Sequence, residues 1–228
     1  MKDFSKLEKI LGLKFKDKNL LSQSLVHRSY LNEHPNFHLE HNERLEFLGD
    51  AVLELIVTEY LYKNYKNPEG DLTNWRAALV NAKTLSVLAK DLDLGQYLYL
   101  SKGEAKDKGK AREYILADGF EALVGAIFLD QGLKKTFDFI EKKLIFKLPH
   151  ILKHELHIDP KTKFQEISQE KFKITPIYNV LEESGPDHAK YFKIGVFLED
   201  KLIASGEGMS KQEAQVKAAE NALKKKKW

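Results

Sequence analysis

From Met1 to about Leu148 apolar residues return every three or four positions, as in LLSQSLVHRSYL, LEFLGDAVLELIVTEYLY, LVNAKTLSVLAKDL and ILADGFEALVGAIFLDQ, with Gly or Pro between the runs. The spacing predicts a unit made of helices. From Pro149 to Asp159 the chain reads PHILKHELHID, polar and rich in histidine, and the rhythm changes beyond it. Residues 149–158 are therefore read as a linker. Asp159 followed by Pro160 predicts a helix start for KTKFQEISQEKF, because an Asp side chain accepts an orphan amide and proline suits the first helical turn. The period then falls to two. Tyr178 and Val180 alternate with polar neighbours, and Phe192, Ile194, Val196 and Leu198 form a second run. A third short run from Leu202 to Ser205 ends at Gly206-Glu207-Gly208, after which Ser210 and Glu213 form a capping box that opens a helix through Ala214, Ala218, Ala222 and Leu223. The expected fold class is an all-α domain over residues 1–148 followed by a small α+β domain of order αβββα over residues 159–228, with a lysine-rich tail. No internal repeat is seen.

With 43% hydrophobic and 31% charged residues, 228 residues suffice for one or two cores. The absence of cysteine excludes disulfides, thiolate metal sites and cysteine nucleophiles, and leaves oxygen and nitrogen ligands for any chemistry. The opening MKDFSKLEKI mixes charges into a helical pattern, and no stretch approaches the roughly 18 apolar residues of a membrane span. A cytoplasmic protein without membrane contact is expected. A net charge of +3 is too small to announce a polyanionic partner by itself.

The candidate chemistry lies in carboxylates on apolar helices. In Asn42-Glu43-Arg44-Leu45-Glu46-Phe47-Leu48-Gly49-Asp50-Ala51-Val52-Leu53, Glu46 and Asp50 fall within about 60° of Glu43 at roughly 100° per residue, so three acids share one stripe. Leu45, Leu48, Val52, Leu55 and Ile56 cover the opposite side and Phe47 and Ala51 extend it, which predicts a largely buried helix. Asp118 and Glu121 again share a face in ILADGFEALVGAIFL, together with Gly125, which would allow a close approach. Buried like charges require cations or protons. Two such helices packed face to face would make an all-oxygen cluster of the kind that holds Mg²⁺ or Mn²⁺ and suits phosphodiester hydrolysis. The competing reading is a pair of amphipathic helices whose acids face solvent. Glu54 also lies near the stripe and is read as a rim charge. A di-iron bundle would need Glu-x-x-His twice, and no glutamate here has histidine three residues later. Gly103 to Gly109 departs from a phosphate loop in length and in Ala111, and is read as an exposed charged loop. His34, His38 and His41 have metal-like spacing, but Pro35 and Asn36 favour an ordinary loop.

These motifs resemble a known family. NERLEFLGDAVL from Asn42 to Leu53 is similar to the signature of the ribonuclease III family, and His27-Arg28-Ser29-Tyr30, Glu69-Gly70-Asp71, Arg76-Ala77-x-Leu79-Val80 and Leu116-Ala117-Asp118-x-x-Glu121-Ala122-Leu123 resemble its other blocks in the same order. The resemblance spans essentially the whole chain. It implies a magnesium-dependent endonuclease domain, with Mn²⁺ a possible substitute and no organic cofactor, joined to a double-stranded-RNA-binding domain. Carried over by position, Glu46, Asp118 and Glu121 would bind the metal, Asp50 and Glu121 would be catalytic, and Glu43 and Glu69 would be supporting acids near the scissile strand. Phe47 matches an aromatic inserted into the partner subunit of a homodimer, although an ordinary core phenylalanine is an equal reading of the residue itself.

In the carboxy-terminal domain the resemblance implies that Thr162, Gln165, Glu166 and Gln169 reach one minor groove of A-form RNA, that Pro186 and His188 enter the next, and that Ser210 and Lys211 meet phosphates. Where the family commonly has further basic residues, this chain has Gln212 and Gln215. From Glu155 onward there are thirteen lysines, no arginine and twelve acids, so the domain is barely basic, and Lys190, Lys193 or the tail could assist Lys211. The implied activity hydrolyses double-stranded RNA to 5′-phosphate and 3′-hydroxyl ends, with processing of ribosomal, transfer and messenger RNA expected by analogy. A duplex-RNA-binding protein that does not cut, and a metal-dependent nucleotide phosphohydrolase, are the alternatives.

Overall fold

A computed structural model describes residues 2–107, 109–155, 157–186 and 190–228. The chain divides into two units, Met1–His157 and Ile158–Trp228. The first unit contains α1 (Ser5–Leu11), α2 (Lys18–Ser24), α3 (Arg28–Glu33), α4 (Glu43–Asn64), α5 (Glu69–Val80) and α6 (Ala82–Asp91). It continues with α7 (Leu94–Tyr97), α8 (Lys102–Lys106), α9 (Lys110–Gln131), α10 (Leu133–Lys143), a 3₁₀ turn at Ile145–Lys147, and α11 (Leu148–Lys153). Short polar side chains set several starts: Asp17, Asn81 and Ser101 accept amide hydrogens from Asn19, Thr84 and Glu104 respectively.

The core is organised by α4 and α9, each of 22 residues. Leu53, Ile56 and Val57 of α4 and Phe120, Ala122, Leu123, Val124 and Ala126 of α9 are fully buried. Around them pack Leu7, Leu21, Leu25, Leu79, Leu85, Leu94 and Ile140. One contact is not helical. Val26 and Tyr99 form an isolated parallel bridge, with Tyr99 N donating to Leu25 O at 2.8 Å and His27 N donating to Tyr99 O at 3.1 Å. Asn42, only 3% exposed, joins this knot: its amide donates to Val26 O at 2.8 Å and its Nδ2 to Ser24 O at 3.2 Å. The start of α4 is thereby tied to the turn before α3.

In this unit three details differ from the sequence expectation. Phe47 is 82% and Leu55 55% exposed, and Ala51 is exposed between them, so α4 is buried on one side only. The apolar pattern was wider than one chain's own helices can cover. The segment expected to link the domains begins as α11, whose Ile151 is buried in the first core. The charged loop from Gly103 contains a helical turn, because Ser101 Oγ accepts from Glu104 N and nucleates α8.

The second unit consists of α12 (Pro160–Phe172), β1 (Ile177–Ser184), β2 (Tyr191–Leu198), β3 (Lys201–Gly208) and α13 (Lys211–Lys226). The antiparallel sheet has order β1-β2-β3, with Tyr178 opposite Val196 and Val196 opposite Ala204. Both predicted caps form: Asp159 accepts from Lys161 N and Thr162 N, and Ser210 accepts from Glu213 N. Phe164, Val196, Leu198, Ile203, Ala218, Ala219 and Ala222 make the core, and Trp228 stacks on Phe164 at 5.5 Å. Val180, which alternates with Tyr178 in the sequence, is exposed beside a register shift in β1. The glycines expected to end β3 are part of the strand. A Cβ on Gly206 would lie 2.2 Å from Ala218 N, so the missing side chain is what lets α13 rest on the sheet.

Candidate active site

Two glycines bring the acids together. A Cβ on Gly49 would lie 1.8 Å from Glu121 O, and one on Gly125 would lie 2.2 Å from Leu45 O, so α4 and α9 cross backbone against backbone. Gly125 was legible as a point of close approach. Gly49 was not singled out, although a glycine inside a strongly apolar helix is itself a signal of tight packing.

Across this crossing Glu46 of α4 faces Asp118 and Glu121 of α9, with ligand oxygens all within 4.8 Å of one another. No other trio of His, Asp or Glu side chains among the described residues is so arranged. Burial, followed by the charges of Asp50, Asp118 and Glu46, pushes the Glu121 carboxyl up to about 8. Burial, then Asp118, Glu43 and Asp50, pushes Glu46 up to about 7. Burial also raises Asp118. Half-buried acids that repel one another and use only hard oxygen donors fit a divalent cation, whose charge would offset the cost of burying them ionised.

The remaining acids lie differently. Asp50 is exposed, outside the trio but close enough to act on Glu46 and Glu121. Glu43 is exposed and pairs with Arg28 at 3.6 Å and His41 at 3.8 Å. Arg28 was part of a recognised block, but its pairing with Glu43 depends on the knot that holds α3 beside α4. Glu54 pairs with Arg76 at 4.0 Å, away from the trio. Glu69 begins α5, accepts from Thr73 Oγ1 at 2.8 Å, and lines a cleft of about 580 Å³ with Tyr62, Tyr65 and Arg76. His34 stacks on Tyr30 at 4.0 Å and His38 lies against Phe37, so these histidines and His41 have separate neighbours.

The acid shifts have a measurable consequence. Because Glu46 and Glu121 titrate near 7 and 8 in the folded chain against an ordinary 4.5, the folded state holds protons that the unfolded state releases. Their stabilising contribution is complete below about pH 4.5 and is lost as pH rises through 7 and 8. In EDTA the thermal midpoint of the helical unit is therefore expected to fall by about 3–6 °C between pH 6 and pH 9 relative to the same titration in Mg²⁺. Parallel curves with and without Mg²⁺ would show that the trio neither strains the fold nor binds the ion.

In the second unit Thr162, Gln165, Glu166 and Gln169 are exposed on α12, on the side opposite buried Phe164 and Ser168. Gln169 Nε2 donates to Thr175 Oγ1 at 3.2 Å. Pro186 is exposed, and His188 lies outside the described residues. Ser210 caps α13, whose first residue, Lys211, holds its Nζ 5.6 Å from the Phe192 ring centroid.

Comparisons with known proteins agree with this architecture. Residues 17–148 match the Ribonuclease-III-like family model and residues 160–226 the double-stranded RNA binding motif. Ribonuclease 3 from Streptococcus gordonii is 45% identical over 225 residues, which cover 96% of this chain and 97% of that protein. Ribonuclease 3 from Sulfurovum sp. is 46% identical over 224 residues, 98% of each chain. The solved nuclease domain of ribonuclease III from Campylobacter jejuni, a study of flexibility in its dimer-forming region, is 44% identical with a TM-score of 0.55. That alignment covers 62% of this chain and 98% of that one. Long matches at these identities, together with the two motif models in order, show that the chain belongs to the ribonuclease III family, as an endoribonuclease that carries a double-stranded RNA binding motif.

Proposed function

We propose that this enzyme hydrolyses phosphodiester bonds of double-stranded RNA, leaving 5′-phosphate and 3′-hydroxyl ends, and that Glu46, Asp118 and Glu121 hold Mg²⁺, with Mn²⁺ as a substitute. The observation that carries the reading is the convergence of those three carboxylates in a chain that also bears a duplex-RNA motif. A bound divalent cation supplies Lewis acidity at the phosphoryl group and makes water acidic enough to react near neutral pH. Glu121 serves both as a metal ligand and as a catalytic carboxylate. Asp50, exposed beside the trio, would help activate the attacking water, and Glu43 and Glu69 would support the substrate strand.

Residues 1–148 act as the nuclease domain, 149–158 as the connection and 159–228 as the duplex-binding domain. The latter uses Thr162, Gln165, Glu166, Gln169, Pro186, His188, Ser210 and Lys211. One acidic trio per chain serves one strand, so cleavage of both strands requires a two-fold homodimer. The exposure of Phe47 on the apolar stripe of α4 supports it as a contact between copies. Among the described residues no helix is long and apolar enough to cross a membrane. A cytoplasmic role in maturing ribosomal, transfer and messenger RNA fits the family.

The test is incubation of the purified chain with a long RNA duplex, with each separated strand and with small nucleotides, in Mg²⁺ and in EDTA. Cutting of the duplex alone, and only with metal, is expected. A duplex that is bound but stays intact would leave a binding protein, and hydrolysis of nucleotides alone would make the site a phosphohydrolase.

A further inference from the structure

The lysines around the start of α13 are largely matched by acids. Lys190 pairs with Glu183 at 2.8 Å, Lys193 with Glu207 at 3.4 Å and Lys217 with Glu213 at 3.5 Å. Lys211 begins the helix, but it is followed by the neutral Gln212, the acidic Glu213 and the neutral Gln215. The first turns of α13, where Lys211 is followed by Glu213, present little net positive charge to a polyanion. Lys190 and Lys193, the lysines that composition offers as helpers, are those the sheet acids neutralise.

A different lysine occupies the place. Lys161, in the first turn of α12, reaches across to α13, where its Nζ donates to Gln215 Oε1 at 2.6 Å and lies 5.1 Å from the centroid of the Tyr178 ring. The ring face and the amide oxygen hold the ammonium in position, yet neither carries a formal negative charge. Three N–H donors are available on an ammonium and Gln215 takes one, so two remain for an outside acceptor. The charge sits beside position 215, four residues along the same helix from Lys211.

We propose that Lys161 is a phosphate-contacting residue of the duplex-RNA interface, supplying from α12 the cation that α13 lacks at Gln215. The proposal rests on the reading of this unit as the duplex-binding domain. The ligand is the phosphodiester backbone, so the contribution is independent of base sequence. Gln215 is then a positioning residue, which aims the Lys161 stem and makes no charge contact of its own.

The contact can be measured through salt dependence, since each neutralised phosphate contributes about −0.7 to −0.9 to the slope of log affinity against log salt. Binding of the full chain to a labelled RNA duplex is measured in EDTA, where no strand is cut, at several salt concentrations. For Lys161→Gln we expect about a 5–10-fold loss of affinity near physiological salt and a slope shallower by about one. The exchange Lys161→Gln with Gln215→Lys returns the cation to α13 and is expected to recover both, whereas Lys193→Gln changes affinity less than about twofold. The melting temperature of each variant confirms that the second unit is folded. Unchanged affinity and slope for Lys161→Gln would overturn the proposal. So would weaker binding with an unchanged slope, because Lys161 would then act through packing on Tyr178. Failure of the unsubstituted chain to bind duplex at any salt would instead remove the duplex-binding reading, and this inference with it.

Discussion

Replacing Glu121 by Gln is expected to lower duplex cleavage by about 10³-fold or more while raising the stability of the metal-free protein. The two effects share one cause. The Gln side chain keeps the volume and removes the charge, so under the proposed metal site the cation would lose a ligand worth several kcal/mol of transition-state stabilisation. The same change relieves the repulsion that pushes the Glu121 carboxyl up to about 8. In EDTA at pH 8 to 9 the variant should therefore melt higher than the unsubstituted chain, and the gap should close as pH falls below about 4.5, where the unsubstituted carboxyl becomes protonated in the unfolded state as well as in the folded one. Asp50→Asn provides the contrast. Asp50 is exposed, so its loss should also abolish cleavage but yield little stability. Duplex binding in EDTA should survive in both, because the second unit is untouched. Cleavage by Glu121→Gln within tenfold of the unsubstituted enzyme would remove Glu121 from the chemistry. Lost cleavage accompanied by lower stability would show a structural role instead. An opposition between activity and stability is expected wherever like charges are held together for function.

The second large effect is expected at Gly49. In Gly49→Ala the new Cβ would lie 1.8 Å from Glu121 O, 2.6 Å from Glu121 C and 2.9 Å from Gly125 N, all of them backbone atoms that cannot swing aside. α4 and α9 must separate, at a cost of about 3 kcal/mol or more, the upper end of what overfilling a packed core costs, because the atoms met are backbone. Any protein that still folds should also cut poorly, since displacing a catalytic group by about 1 Å costs roughly 10²-fold in rate. Gly119→Ala on the same helix is the control. There the nearest atom to the new Cβ is Leu98 Cδ2 at 3.3 Å, the end of a flexible side chain. The small clash and the gain of up to about 1 kcal/mol in helix propensity should nearly cancel. Urea unfolding of the two variants decides the matter, and a Gly49→Ala chain as stable as Gly119→Ala would mean that the helices do not meet at these glycines.

Much of this protein could be read from local pattern. The period of three to four marks the helical unit and the period of two marks β2, because burial of one face imposes those spacings wherever the element packs. The caps at Asp159 and Ser210 were equally legible, since a capping side chain bonds to amides two or three residues away. The acids too were visible as candidates, because carboxylates in strongly apolar helices need a counter-charge. The polar rhythm misled where the glycines at 206 and 208 were read as the end of the third strand. Their role is to admit α13, a contact with a helix beginning at Lys211 that no strand pattern encodes.

What the sequence by itself determined is therefore the order of elements, the two domain types and the stock of acids from which a site could be made. Which acids converge was decided only in three dimensions. Glu43, Glu46 and Asp50 share a stripe on α4, yet Glu46 alone joins Asp118 and Glu121, because the crossing at Gly49 and Gly125 sets which turn of one helix faces which turn of the other. The same holds for Lys161, fifty-four positions from Gln215 in the chain and hydrogen-bonded to it in the fold. Local spacing encodes which side of an element a residue occupies. Contact between elements depends on crossing angle, register and close approach, which the chain acquires only when its separate faces pack together.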